Sequence, residues 1–158
     1  MADDTYTVER STSIDAPPER VYPMIADFHR WTDWSPWEDV DPDLKRSYSG
    51  APSGQGAVYR WSGNRRAGQG QMEITEATEP SRVVIDLAFE KPWKARNDTS
   101  FTITPAGAGS HVSWSMTGKK TLLTRLMGIF RSMDSMLGPD FEKGLARLKA
   151  SAERPPAG

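Results

Sequence analysis

Between Thr121 and Lys149, apolar side chains recur at steps of three or four: Leu122, Leu126, Phe130, Met133, Leu137, Phe141, Leu145 and Leu148. That is the period of one helical face. Leu123, Met127, Ile129 and Met136 widen the face, and Arg125, Arg131, Asp134, Glu142, Lys143 and Arg147 fall mostly off it. A helix with so broad an apolar stripe needs a large apolar surface to cover. Periodicity alone favours a helix that closes a core over one whose methionines line a cavity, although thioether side chains adapt to either. Thr121 suits the N-cap. Gly138-Pro139 predicts a kink or break, because proline lacks an N–H and crowds the preceding turn. The expectation is therefore a shorter piece to about Leu137 and a second from about Pro139 to Ala152. Residues 153–158, with two prolines and a glycine, are expected to form a flexible tail.

The partner surface is legible upstream. Tyr6 to Ile14 reads as a strand. Asp15-Ala-Pro-Pro-Glu then leads into a short helix carrying Val21, Tyr22, Ile25 and Phe28, with Pro23 near its start. His29 to Glu38 follows, holding three tryptophans within seven residues. Trp31 and Trp34 share a face if this is a helical turn, and Pro36 ends it. Then come Leu44–Ser49 and a series of alternating runs. Val58–Ser62 puts Tyr59 and Trp61 on one side. Gln71–Ala77 does the same for Met72 and Ile74, and Val83–Phe89 for Ile85, Leu87 and Phe89. Lys94–Thr104 alternates Thr99, Phe101 and Ile103, and Ser113–Thr117 continues Val112, Trp114 and Met116. Short turn clusters separate these runs, as in an antiparallel meander with one apolar and one wet face. One strand, two short helices, roughly six consecutive strands and a long apolar helix make an α+β order. Such a sheet curls, and the terminal helix is the element large enough to cover its concave side.

Composition removes several function classes. Lysine plus arginine (20) nearly equals aspartate plus glutamate (21), and a net charge of -1 gives no attraction to nucleic acid or an anionic membrane. The chain has no cysteine, which excludes disulfides, thiolate catalysis and Cys-ligated metals. The polar, acidic start MADDTYTVERS does not read as a signal peptide, and no apolar run reaches membrane-spanning length. The expectation is a cytoplasmic, single-domain chain over residues 1–152, with no membrane insertion.

Several phrases carry a family resemblance: Ser13-Ile-Asp-Ala-Pro-Pro-Glu-Arg-Val-Tyr22, Asp27-Phe-His-Arg-Trp-Thr-Asp-Trp-Ser-Pro-Trp37, Gly56-Ala-Val-Tyr-Arg-Trp-Ser-Gly63, Gly70-Gln-Met-Glu-Ile-Thr75 and Gly138-Pro-Asp-Phe-Glu-Lys-Gly-Leu-Ala-Arg-Leu-Lys149. Over roughly residues 5 to 152 the chain resembles the START-like, or Bet v 1-like, superfamily. Within it, the chain is most similar to the bacterial polyketide cyclase/dehydrase and lipid-transport group (SRPBCC proteins). The resemblance implies a helix-grip fold, in which a curved seven-stranded antiparallel sheet wraps a long C-terminal helix around an internal cavity. These phrases are scaffold signatures, and fold alone does not assign an activity.

Catalysis in such a cavity would need polar or titratable groups aimed inward. His29 and His111 lack partners at metal-ligand spacing, so no metal or other cofactor is expected. Glu38, beside Asp39, is a candidate general base if apolar surroundings raise its pKa, although both also suit a solvated acidic loop. Tyr59 and Arg60 are the other weak catalytic candidates. Arg60, Arg65, Arg66, Lys94 and Arg96 form a basic set suited either to steering an acidic ligand or to the wet face of strands. No serine has a neighbouring histidine to activate it.

The residues assigned to the cavity wall are Trp34 and Trp37 from the tryptophan-rich turn and Tyr59, Trp61, Met72 and Ile74 from the first alternating runs. Leu87, Phe89, Phe101, Trp114 and Met116 continue the wall, and Phe130, Met133 and Leu137 face it from the helix. Core packing alone explains all of them, but such a mixture also suits an apolar pocket with few polar groups. Tyr59, Trp61 and Trp114 are candidates for those polar groups. Three readings follow. The first is a non-catalytic binder of a small hydrophobic or aromatic ligand, lipid- or polyketide-like, acting as monomer or homodimer. The second is a cyclase- or dehydratase-like enzyme. The third is a regulatory or interaction module using the surface around Trp31, Trp34 and Trp37.

Overall fold

Seven strands pair in the order β1-β7-β6-β5-β4-β3-β2, every neighbour antiparallel. They are β1 (Thr5–Ile14), β2 (Lys45–Gly50), β3 (Ala57–Ser62), β4 (Gln69–Thr78), β5 (Arg82–Lys91), β6 (Ala95–Ala106) and β7 (Gly109–Lys119). Helix α1 (Pro18–Ala26) and a 3-10 helix (Phe28–Asp33) follow β1, and α2 (Met133–Glu153) closes the chain. The computed structural model describes residues 5–35, 43–64, 68–91, 95–119 and 133–153. The expected N-cap Thr121, the residues Trp37, Glu38, Asp39, Arg65, Arg66, Lys94 and Phe130, and the end of the tail lie outside those residues, as does the side chain of Met133. The architecture is the expected α+β helix grip, with β2 to β7 as one meander and β1 closing against β7.

The strands follow the alternation of the sequence. On β6 the side chains of Asn97, Thr99, Phe101 and Ile103 are buried, while Arg96, Asp98 and Thr104 are exposed. Register then carries each buried residue across the sheet. One row runs Tyr59, Met72, Leu87, Asn97, Gly118, Tyr6. The next runs Ile74, Ile85, Thr99, Met116, Val8, and a third runs Val83, Phe101, Trp114, Arg10. These rows are the concave face.

The third row is sealed by aromatic rings. Trp114 stacks on Phe141 of α2 with ring centroids 4.1 Å apart and planes 4° from parallel. Phe101 stacks on the same indole at 5.0 Å, and Trp34 meets both Phe101 and Trp114 edge-on at 5.8 and 5.6 Å. The tryptophans of the 3-10 turn face inward as their spacing predicts, 4.6 Å apart. Their indole N–H groups donate to main-chain carbonyls, Trp31 to Ile25 at 2.8 Å and Trp34 to Met24 at 2.9 Å. Both buried donors are thereby satisfied, which removes the main cost of enclosing a tryptophan.

Two expectations about proline are corrected. Pro23 sits in the second turn of α1, because that helix already begins at Pro18. Helix α2 runs unbroken through Gly138-Pro139. Tertiary packing overrides the local penalty there. Phe141, Leu145, Leu148 and Ala152 are buried on one face, and the exposed Pro139 lies off it. Gly138 has a separate purpose, since a Cβ there would stand 2.1 Å from the Arg10 guanidinium. Arg10 reaches across this bare backbone, and its Nε donates to Glu142 at 3.0 Å.

The far end of α2 is tied back to the β1–α1 turn. Glu153 accepts from the Asp15 main-chain N–H at 2.7 Å and pairs with Lys149 one turn earlier. The Lys149 bond foremost, then the Asp15 N–H, hold the Glu153 carboxyl below the ordinary glutamate range. A lowered folded-state pKa means stabilisation that is present above the unfolded value and lost as pH falls through the folded one. Glu153→Gln should therefore flatten the acid limb of a stability–pH profile below the ordinary glutamate pKa and leave the profile at neutral pH parallel to the parent. Phe141→Ala, measured by denaturant unfolding, should cost about 3–5 kcal/mol, the range for deleting a fully buried aromatic ring.

Candidate functional site

The concave face is not equally closed along its length. In the rows under α1, α2 and the 3-10 helix, Val83, Ile85, Ile74 and Phe101 are wholly inaccessible. In the row through Asn97, Met72 retains 9% exposure, and Leu87 and Asn97 each retain 7%. Trp61 and Phe89, in the adjoining row, are only partly buried, and so is Leu137 where it packs on the core. A sealed aromatic end therefore grades into a looser end at β3, β4 and β5, and the candidate site is that looser end.

Most residues expected to line a cavity share this face. Trp34, Phe101 and Trp114 belong to its sealed end. Tyr59, Met72 and Leu87 stand in the looser row, and Ile74 and Met116 in the row between. Tyr59 belongs to a string of rings, 5.8 Å from Phe28, 5.4 Å from Tyr48 and 6.1 Å from Trp61, which in turn meets Phe89 at 5.6 Å.

The structure adds a polar cluster to Tyr59, Trp61 and Trp114. Asn97, Thr99 and Tyr6 supply it. The Tyr6 hydroxyl donates to Asn97 Oδ1 at 2.8 Å, across the width of β7. Gly118 makes that crossing possible, since a Cβ on it would stand 2.2 Å from Asn97 Oδ1 and 2.7 Å from the Tyr6 oxygen. Burial pushes the Tyr6 phenol pKa up, against a smaller downward pull from the Asn97 bond, so the phenol stays a neutral donor. Thr99 is buried, and its hydroxyl has no partner among the described residues. Asn97 departs from the usual preference of asparagine for turns and wet surfaces. The signal for it was phase: Asn97, Thr99, Phe101 and Ile103 lie two apart, so an inward Phe101 makes Asn97 inward too.

Other candidates fall outside the interior. Arg60 alternates with Tyr59 and Trp61, so it is exposed on the outer face, where its Nε donates to Gln71 at 3.0 Å. This corrects its place among interior catalytic candidates. Arg96 is likewise outward, gripping Asp86 through Nη2–Oδ2 at 2.6 Å and Nε–Oδ1 at 3.1 Å. His29 is exposed, bonded through Nδ1 to Asp27 at 2.9 Å and stacked on Tyr48 at 4.0 Å. His111 is exposed on β7. Among the described residues no His, Asp or Glu group is arranged to hold a metal ion. A shallow groove of about 340 Å³ runs along the outer rim, lined by Arg46, Arg60, Trp61, Gln69, Gln71 and Glu90 among others. Four of its polar side chains bond in pairs, Arg60 with Gln71 at 3.0 Å and Gln69 with Glu90 at 2.7 Å.

A curved antiparallel sheet gripping a helix, with a mostly apolar concave face and one small neutral polar cluster, is the build of a helix-grip ligand-binding domain. The family model described as "Polyketide cyclase / dehydrase and lipid transport" matches residues 5–153, and the chain belongs to that family. Solved structures agree on the fold. Protein CV1439 from Chromobacterium violaceum is 16% identical, with a TM-score of 0.68 over 94% of this chain and 98% of that one. The Aha1 dimer from Colwellia psychrerythraea is 17% identical, with a TM-score of 0.62 over 96% and 99%. DynU16, from the dynemicin biosynthetic locus, is 18% identical, with a TM-score of 0.64, and this chain, 96% covered, spans 48% of its length. A comparison with curated proteins gives no match.

Gly118→Ala tests the crossing bond. The new methyl group must push Asn97 or Tyr6 aside, and unfolding should show a loss of about 1–3 kcal/mol, as for overpacking elsewhere. In a Tyr6→Phe background the loss should shrink, because the phenol oxygen no longer has to be displaced.

Proposed function

We propose that this domain binds a small hydrophobic or aromatic ligand, lipid- or polyketide-like, between the looser half of the concave face and its helical cover, and that it does so without chemistry. The supporting observation is the gradient along the face. Aromatic rings seal one end completely, while the row through Met72, Leu87 and Asn97 keeps residual exposure in an apolar surround. Apolar walls with few polar groups are how small-molecule sites are built. Against catalysis stands the placement of the candidates. Arg60 faces outward, and the rows around Asn97 carry no charged side chain among the described residues. Family membership is consistent with ligand binding, and the reading includes a cytoplasmic monomer or homodimer. No helix among the described residues is long and apolar enough to cross a membrane.

The interaction-module reading is weakened by Trp31 and Trp34. Both are buried and bonded inward, so neither presents a contact surface. The enzyme reading keeps Tyr59 alone among the described candidates.

Met72→Trp separates a site from a filled core. If the face is hollow, the indole occupies the ligand's place. Affinity for an apolar fluorescent probe such as N-phenylnaphthylamine, read by its emission, should then fall by about ten-fold or more, equivalent to about 1.4 kcal/mol. The melting temperature should hold. A filled core would instead be strained by about 1–3 kcal/mol. A destabilised variant that still binds the probe like the parent would refute the reading.

A further inference from the structure

Asn97 and Thr99 are both more than nine-tenths buried. Tyr6 donates to Asn97 Oδ1, a bond that does not engage the amide N–H groups. The Thr99 hydroxyl is buried and has no partner among the described residues. Buried polar groups without partners are costly, and native chains hold few of them. The two lie two residues apart on one strand, about 6.5–7 Å along it, roughly twice a hydrogen-bond length. One oxygen placed between them reaches both.

We propose that Asn97 and Thr99, with Tyr6 fixing the Asn97 amide, are the polar anchor of the interior site, and that its ligand presents a neutral carbonyl oxygen there. This rests on the binding reading above and narrows it to a ligand class. The donors set the chemistry. The Asn97 oxygen is taken by Tyr6, so the amide turns its N–H groups to the ligand, and the threonine hydroxyl supplies a third donor. Such a set calls for an acceptor. It is also uncharged, and the Tyr6 phenol is held neutral by burial. The neighbours in the two rows are Met72, Leu87, Ile85, Met116 and Val8, with Gly118 between Asn97 and Tyr6. Arg10, the charged residue of β1 on this face, lies one row beyond Thr99's, across Gly138 and bonded to Glu142. Among the described residues a carboxylate buried here would meet no opposite charge in these two rows and would keep most of its desolvation cost, whereas a ketone needs only the donors present.

Two matched probes test the anchor: prodan, a dimethylaminonaphthalene with a propionyl group, and its propyl analogue, which lacks only the carbonyl oxygen. The parent protein should bind prodan about ten-fold more tightly than the analogue, the worth of two satisfied buried donors. Thr99→Val and Asn97→Leu should each weaken prodan by about five-fold or more while moving the analogue less than about two-fold. Prodan emission should shift blue in both variants, because its carbonyl loses hydrogen bonds. Thr99→Val, which keeps the shape and deletes an unpartnered hydroxyl, should also raise the melting temperature by about 2–4 °C, which a threonine serving structure would not do. It carries the test if Asn97→Leu fails to fold. Equal affinity of the parent for both probes, or equal losses of both in the variants, overturns the anchor and leaves the binding reading standing. If neither probe binds the parent, the binding reading fails and the anchor falls with it.

Discussion

The stack of Trp114 on Phe141 holds this structure together. Two rings 4.1 Å apart and nearly parallel join the middle of β7 to the middle of α2. The contact also orients what surrounds it. Trp34 packs edge-on against the same ring and is locked by its own N–H to the Met24 carbonyl, so α1 and the 3-10 helix are referred to the same point as α2. Buried aromatic pairs add directional preference to a large apolar area. Here that preference decides which part of the sheet is covered tightly.

The gradient of closure follows. Near the stack, Phe101 and Val83 are fully enclosed. Two rows away, residual exposure returns at Met72, Leu87 and Asn97. The same row carries the Tyr6–Asn97 bond, which needs a glycine at 118 to span β7. A domain with its stability concentrated at one end can leave partly satisfied polar groups at the other, because the sealed end offsets their cost.

Much of this was legible in the chain. Period-two alternation placed the strands, since a wet face and a dry face leave opposite marks on successive residues. The spacing of Leu137, Phe141, Leu145 and Leu148 announced the helix over Met133–Glu153, and the spacing of Trp31 and Trp34 announced their shared inward face. Arg60 could have been set outside by the same rule that put Tyr59 and Trp61 inside. Asn97 was harder, because asparagine is a turn residue by preference and only its phase with Phe101 argued otherwise. Its partnership with Tyr6, 91 residues away, has no local signal at all.

The sequence by itself determined the element order, the faces and the family, because these depend on local periodicity and on phrases that neighbours in the chain share. Tertiary structure alone decided the rest. Gly138-Pro139 reads as a stop in isolation, yet the helix continues there, because burial of Phe141, Leu145 and Leu148 outweighs one missing hydrogen bond. The bare backbone of Gly138 takes the Arg10 guanidinium, a contact set by where α2 lies on β1. Which polar groups end up dry and unpaired is likewise a property of register across strands and of how a cover seats on a curved face. Neither is written within any one segment of the chain.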